Sequence, residues 1–191
     1  MNTSQLTSTY RTKLIISVYE KWIKKGNSIL DIGCGTGVVT KILGDYFPLK
    51  VTGADIKNYL IYKIPFIKIE NGKIPVKNNS FDFSLLNDVL HHVDKEYQKN
   101  VLKEAARVGK KVLVFEFEPT ILGKLADIIL NKLHYGDLHV PLSMRTKYEW
   151  RDLIKSLGFK SKVIILKKPF WYPFSHIAFI LTKDSHKDQS L

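Results

Sequence analysis

The chain has 191 residues, 45% of them apolar, with a mean hydropathy of −0.10. That suits one globular domain spanning 1–191 with a sizeable core, and no apolar run is long enough to read as a bilayer span. The formal charge is +12, but of 30 basic residues only 4 are arginines and the lysines are spread along the whole chain. Specific phosphate recognition leans on bidentate arginine, so nucleic acid is not an expected partner and the charge reads as lysine-rich composition. A single cysteine, Cys34, excludes an internal disulfide, and with no leader-like apolar segment the expected compartment is the reducing cytoplasm.

In chain order, residues 6–25 place Leu14, Ile15, Val18, Tyr19, Trp22 and Ile23 at helical spacing, with lysines on the outer face and a stop at Gly26. Ser28–Ile32 reads as a strand, 36–46 as a helix, Lys50–Asp55 as a second strand and 66–69 as a short third. A fourth strand is expected at 81–86, a helix at 94–108 and a fifth strand at 111–117. Residues 119–144 are less regular, with a helix at 121–133 and a loop at 135–143. An amphipathic helix at 146–157 stops at Gly158, and two strands, 160–166 and 176–182, follow with a short turn between them. Residues 1–9 and 184–191 are expected to fray. Strands alternating with helices imply a parallel sheet with helices on both faces.

Residues 29–37 read Ile-Leu-Asp-Ile-Gly-Cys-Gly-Thr-Gly. An apolar strand ends in an acid and then in glycines on alternate positions, Gly33, Gly35 and Gly37, with a helical pattern (Val38, Val39, Ile42, Leu43) directly after. Such a turn lets a ligand lie against bare main chain at a helix N-terminus. A dinucleotide fingerprint needs its third glycine where Val38 stands, which counts against a nicotinamide-dependent oxidoreductase. Asp55 ends the next apolar run, where an acid can meet a ribose hydroxyl pair.

The pattern D-x-G-x-G-x-G resembles motif I of the class I S-adenosylmethionine (SAM) dependent methyltransferases, particularly the small-molecule group called type 11. The resemblance implies SAM as cofactor and covers roughly 10–183. It also implies a Rossmann-like, doubly wound α/β fold: a mostly parallel seven-stranded sheet with an antiparallel last strand. Under it, Gly33, Cys34, Gly35 and Gly37 lie against the cofactor, Asp31 holds the turn and meets the ammonium, and Asp55, followed by Ile56, takes the ribose. Glu70 stands where the family usually carries an aspartate for the adenine amino group, and Asn71 could substitute for it. Cys34 reads as a small residue in a tight space.

Residues 74–94, IPVKNNSFDFSLLNDVLHHVD, resemble the family's second block. There Asn87 borders the cofactor ammonium and Asp88 faces the acceptor. His91 is the better candidate for a general base, although both histidines could simply orient the loop. Adjacent histidines lack the i, i+4 spacing of a helical metal pair, so no metal is expected. Glu116 and Glu118 share one strand face, with one acid near the acceptor or both solvated before Pro119.

Topology puts 119–144 and 168–174 on the cofactor side, as an acceptor-side insert and a turn. Their His134, Tyr135, His139, Met144, Phe170, Trp171, Tyr172 and Phe174 suit an apolar acceptor, or else form a core plug, or dock weakly on a membrane surface beside lysines 160, 162, 167 and 168. The expectation is methyl transfer to a small-molecule or lipid-like acceptor. The alternatives are a non-catalytic SAM-binding subunit and, less favoured, an RNA methyltransferase or NAD(P)-dependent oxidoreductase. No Asn-Pro-Pro-aromatic motif follows the fourth strand, which counts against methylation of adenine or amide nitrogen. The sequence carries no signal for oligomeric state.

Overall fold

The computed structural model describes residues 3–135 and 142–183. Thirteen segments follow in order: α1 (Thr3–Tyr19), β1 (Ser28–Ile32), α2 (Val38–Tyr46), β2 (Lys50–Asp55), β3 (Phe66–Lys68), β4 (Phe81–Asn87), a 3-10 turn (Leu90–His92), α3 (Gln98–Val108), β5 (Gly109–Phe117), α4 (Ile121–Tyr135), α5 (Lys147–Ser156), β6 (Phe159–Ile165) and β7 (His176–Lys183). The sheet order is β3-β2-β1-β4-β5-β7-β6. Strand β7 runs antiparallel to both β5 and β6, and the other pairs are parallel. Strand order therefore reverses between β1 and β4, and in open α/β sheets the ligand crevice lies outside the carboxyl ends of the strands at such a reversal.

Alternation along the strands sorts the core into two layers. Leu30, Ile32, Leu86, Val112, Val114 and Phe179 point to one side, where Leu102, Ala105 and Val108 of α3 and Trp150 and Ile154 of α5 cover them. Ile29, Phe83, Leu85, Leu113, Phe115 and Ala178 point to the other, beneath Ile15, Val18 and Tyr19 of α1 and Leu43 of α2. The near-continuous apolar strands follow from this two-sided burial.

Boundaries shift where local chemistry overrides periodicity. Helix α1 begins at Thr3 and ends at Tyr19; Trp22 and Ile23 follow in a turn whose N–H groups both donate to the Tyr19 carbonyl, at 2.9 and 2.8 Å. Ile23 still reaches the core, so the apolar spacing outlasts the helix. Helix α3 starts at Gln98 rather than 94, because the Asp94 carbonyl first closes a turn on Tyr97. The β6–β7 connection, 166–175, is longer than a short turn. Helix α5 carries a capping box, in which Thr146 and Glu149 each accept from the other's backbone N–H. Residues 136–141 of the loop expected at 135–143, His139 among them, and the fraying end 184–191 lie outside the described residues.

One ion pair fastens the loop before β4 to α3. Arg107 Nε and Nη2 donate to Glu104 at 2.9 and 2.7 Å, Glu104 accepts the Ile74 N–H at 2.8 Å, and Arg107 also reaches the Ile74 and Val76 carbonyls. The Arg107 guanidinium, with the Ile74 N–H and Lys73 assisting against burial, holds the Glu104 carboxyl down at about 2. Glu104→Gln is expected to lower stability by about 1–2 kcal/mol, the low end for charged hydrogen bonds because Arg107 keeps access to water. Urea unfolding measures it, and an unchanged midpoint would show that the loop is held otherwise.

Candidate functional site

The turn after β1 is built around three glycines with φ of 74°, 51° and 75° at Gly33, Gly35 and Gly37, a region that penalises any Cβ. Gly33 has a second reason. A Cβ there would lie 2.2 Å from Val89 Cγ2, so a larger residue would push the loop after β4 off the turn. Cys34 packs against β2, its Sγ 2.7 Å from where a Gly53 Cβ would sit, and burial pushes its thiol pKa up. That fits the small-residue reading and gives no reactive thiolate.

Asp31, 2% exposed, lies beneath this turn. Thr40 Oγ1 donates to it at 2.6 Å and Asn87 Nδ2 at 3.0 Å, while Asn87 Oδ1 accepts from the Tyr19 hydroxyl at 2.6 Å. A line of hydrogen bonds thus runs from α2 through β1 and β4 to α1 across the crevice floor. Tyr19 and Thr40 were not foreseen as site residues, since each fits an amphipathic helix pattern. Asp55, at the β2 end, accepts the Gly35 N–H at 2.9 Å and the Ile56 N–H at 2.7 Å. Its carboxylate keeps acceptor capacity beside Ile56, which is 66% exposed. The Ile69 N–H donates to the Asp55 carbonyl, bringing the segment after β3 alongside. Glu70 and Asn71 are exposed there, and Glu70 pairs with Lys68 at 3.0 Å.

These residues fit SAM. Bare glycine backbone, a half-buried carboxylate for a ribose diol and a buried one for an ammonium fall along one crevice. Burial raises the Asp31 carboxyl to about 6, against the Thr40 and Asn87 hydrogen bonds. Above that pH it is ionised and attracts a cation; below it, the proton removes the attraction. SAM affinity is expected to fall roughly tenfold from pH 7 to pH 5, the change in ionised fraction for such a group. Calorimetry across that range measures it, and Asp31→Asn should flatten the profile. A flat profile for the unaltered chain would take Asp31 out of ammonium binding.

A second cluster stands at the β4 end. Asp88 has φ 51°, a region Asp tolerates, and its N–H donates to Phe115 of β5. Its carboxylate lies 3.3 Å from Arg11 Nη1 and 3.8 Å from His176 Nε2. Burial, opposed by Arg11, raises Asp88 to about 7, and burial lowers His176 to about 3. His91 is 1% exposed, with Nδ1 2.6 Å from Glu116 Oε2 and Nε2 3.6 Å from Asp127 Oδ1. Burial works to lower His91, but the Glu116 and Asp127 carboxylates outweigh it and lift it to about 10. Glu116 Oε1 also accepts the Val89 and Leu90 N–H groups at 3.0 and 2.6 Å.

Glu116 is therefore fully engaged rather than solvated, and Glu118 holds the Lys147 N–H at the start of α5. Arg11, Asp127 and His176 were missed because they come from α1, α4 and β7. Arg11 carried the one available signal, as one of only four arginines.

Of the aromatic residues, Tyr172 and Phe174 pack with Phe117 and Met144 into a buried cluster against Tyr10 and Ala126. Phe170 is fully exposed and Trp171 is 42% exposed. The first group is a plug, Phe170 faces outward, and Trp171 lies edge-on against Tyr10 at the plug's rim.

A family model described as "Methyltransferase domain", of the type 11 group, matches residues 30–114, from β1 into β5. The protein MJ1123 of Methanocaldococcus jannaschii is 30% identical over 155 residues, 76% of this chain and 70% of its own length. A ribosomal protein L11 methyltransferase of Thermosipho melanesiensis is 28% identical over 149 residues, 75% of this chain, and the chain spans 54% of that enzyme's length. A solved SAM-dependent methyltransferase of Archaeoglobus fulgidus shares the fold, with a TM-score of 0.65 at 17% identity over 90% of this chain and 94% of the other. Residues 30–114 of the chain are a methyltransferase domain of the type 11 group, and the fold around them is that of solved SAM-dependent methyltransferases.

Proposed function

We propose that this chain transfers a methyl group from SAM to an apolar small molecule, lipid-like or aromatic. One observation supports that acceptor class above all. Helix α4, beside the Asp88 and His91 cluster, leaves Ile121, Leu122, Leu125, Ile128 and Ile129 between 54% and 81% exposed, with Lys124 and Lys132 also in solvent. Large contiguous apolar patches on a soluble chain mark interaction sites, and lysines among them suit an anionic lipid surface. Among the described residues, no helix is long and apolar enough to cross a membrane.

In this reading the glycine turn, Asp31, Asn87 and Asp55, with Ile56 and the 70–71 segment alongside, hold the cofactor. Bound there, SAM supplies a methyl carbon on a cationic sulfur, open to in-line attack by an acceptor lone pair. The chain's share is to position two molecules and exclude water, which is worth roughly 7–11 kcal/mol of barrier. Asp88 is the better proton acceptor of the two candidates. Its carboxyl, raised to about 7, sits near the operating pH, whereas His91 at about 10 already carries its proton. The plug of Met144, Tyr172 and Phe174 must part or border the acceptor.

The test incubates the chain with methyl-labelled SAM and separate pools of lipids, quinones, phenols, protein and RNA. Label in an apolar small-molecule fraction supports the reading. Label confined to protein or RNA overturns it, and no label in any pool favours a non-catalytic SAM-binding subunit.

A further inference from the structure

The two adjacent histidines offer no metal spacing by themselves, but the fold brings a third group to them from another element. His91 and His92 occupy the 3-10 turn after β4 with ring centroids 4.0 Å apart, and Asp127 faces them from α4. One donor atom from each of the three lies within 4.8 Å of the others. We propose that His91, His92 and Asp127 bind a divalent first-row transition metal, with Glu116 behind His91 as the group that orients it.

The hydrogen bonds around His91 set its polarity. Glu116 Oε1 accepts two backbone N–H groups and Oε2 lies 2.6 Å from His91 Nδ1. An ionised carboxylate can only accept, so Nδ1 keeps a proton whatever the charge of the ring, and a metal ion binds at Nε2 by displacing the second proton that the imidazolium carries there. Nε2 is buried without a hydrogen-bond partner, and Asp127 Oδ1 stands 3.6 Å from it. That distance is too long for a hydrogen bond and close to the ~3.4 Å between neighbouring ligands each held ~2.0–2.1 Å from one tetrahedral ion. A carboxylate on one ring nitrogen and a cation on the other is the usual arrangement of a metal-bound histidine.

A rival grouping, Asp88, His91 and Glu116, also converges within 4.8 Å. It would use Glu116, whose Oε2 is already bonded to His91 Nδ1 and whose Oε1 is taken by two backbone N–H groups, so it is set aside. Two imidazoles and one carboxylate suit Zn²⁺, Co²⁺ or Fe²⁺, whereas Mg²⁺ and Ca²⁺ prefer oxygen donors throughout. Three protein ligands leave a coordination position open.

The full chain, stripped with chelator, is titrated with Zn²⁺ by calorimetry and with Co²⁺ by visible absorption, with Mg²⁺ as competitor and no SAM present. One equivalent of Zn²⁺ or Co²⁺ per chain, not displaced by Mg²⁺, is expected. Asp127→Asn and His92→Asn should each weaken binding about tenfold or more with unchanged circular dichroism. Nitrogen-detected imidazole spectra of the unaltered chain give a readout that needs no variant: Zn²⁺ should shift His91 Nε2. Absence of stoichiometric uptake, an unmoved Nε2 resonance, or uptake unaffected by both substitutions would overturn the site and leave His91 as an imidazolium between two carboxylates.

Discussion

Glu116→Ala is expected to lower stability by about 3–5 kcal/mol, the range for removing one partner of a buried charged pair. The Glu116 side chain is 1% exposed and serves three donors: the Val89 N–H, the Leu90 N–H and His91 Nδ1. Truncation leaves all three buried and unanswered, and the His91 charge loses its nearest counterion. At about 2–4 °C per kcal/mol for a chain of this size, the melting temperature should fall by about 6–20 °C. Glu116→Gln should cost less. Its amide oxygen can still accept from Val89 and Leu90, and its NH₂ forces the proton of His91 onto Nε2. A loss below about 1 kcal/mol for the alanine variant, in chemical denaturation, would show that the turn after β4 is held by its other contacts, such as Gln98 Nε2 on the Leu90 and Val93 carbonyls and Val89 against Gly33.

Asp55→Ala should weaken SAM binding by about 1.5–3 kcal/mol, or roughly 10–150-fold. Asp55 does two things at the end of β2. It fixes the glycine turn through the Gly35 N–H, and it presents the remaining acceptor capacity of its carboxylate to the crevice. A ribose diol donating to an ionised carboxylate makes charge-assisted bonds, which neutral water or a neighbouring amide does not replace. Asp55→Asn retains one acceptor oxygen and should fall between the two. Titration calorimetry, with melting curves of each variant beside it, separates lost contact from lost fold. Unchanged affinity in a folded Asp55→Ala variant would remove Asp55 from the ribose site.

The glycine turn and the strands that flank it were legible because their information is local. Ser28–Ile32 and Lys50–Asp55 have the limits that their apolar runs indicate, and the glycines at 33, 35 and 37 all take the positive φ their spacing implies. The rest of the site depends on meetings between distant segments. Glu116 and His91 are joined only through the register of β4 against β5, where Asn87 pairs with Phe115. Asp127 sits in a helix whose place on the sheet no periodicity reveals. His176 reads as the start of a strand, yet it stacks on Phe115 and faces Asp88. The expectation that Tyr172 and Phe174 either line a pocket or fill the core resolves toward packing in this structure, since aromatic content does not say which side chains meet.

The central claim is that the glycine turn after β1, the buried Asp31 and the β2-terminal Asp55 together cradle SAM. A crystal structure of the chain grown with S-adenosylhomocysteine tests it most directly. The account predicts the adenosyl group beside Ile56, its ribose hydroxyls on Asp55 and its amino group near Asp31 and Asn87. Density for the compound elsewhere on the chain, or none beside the glycine turn at saturating ligand, would contradict it.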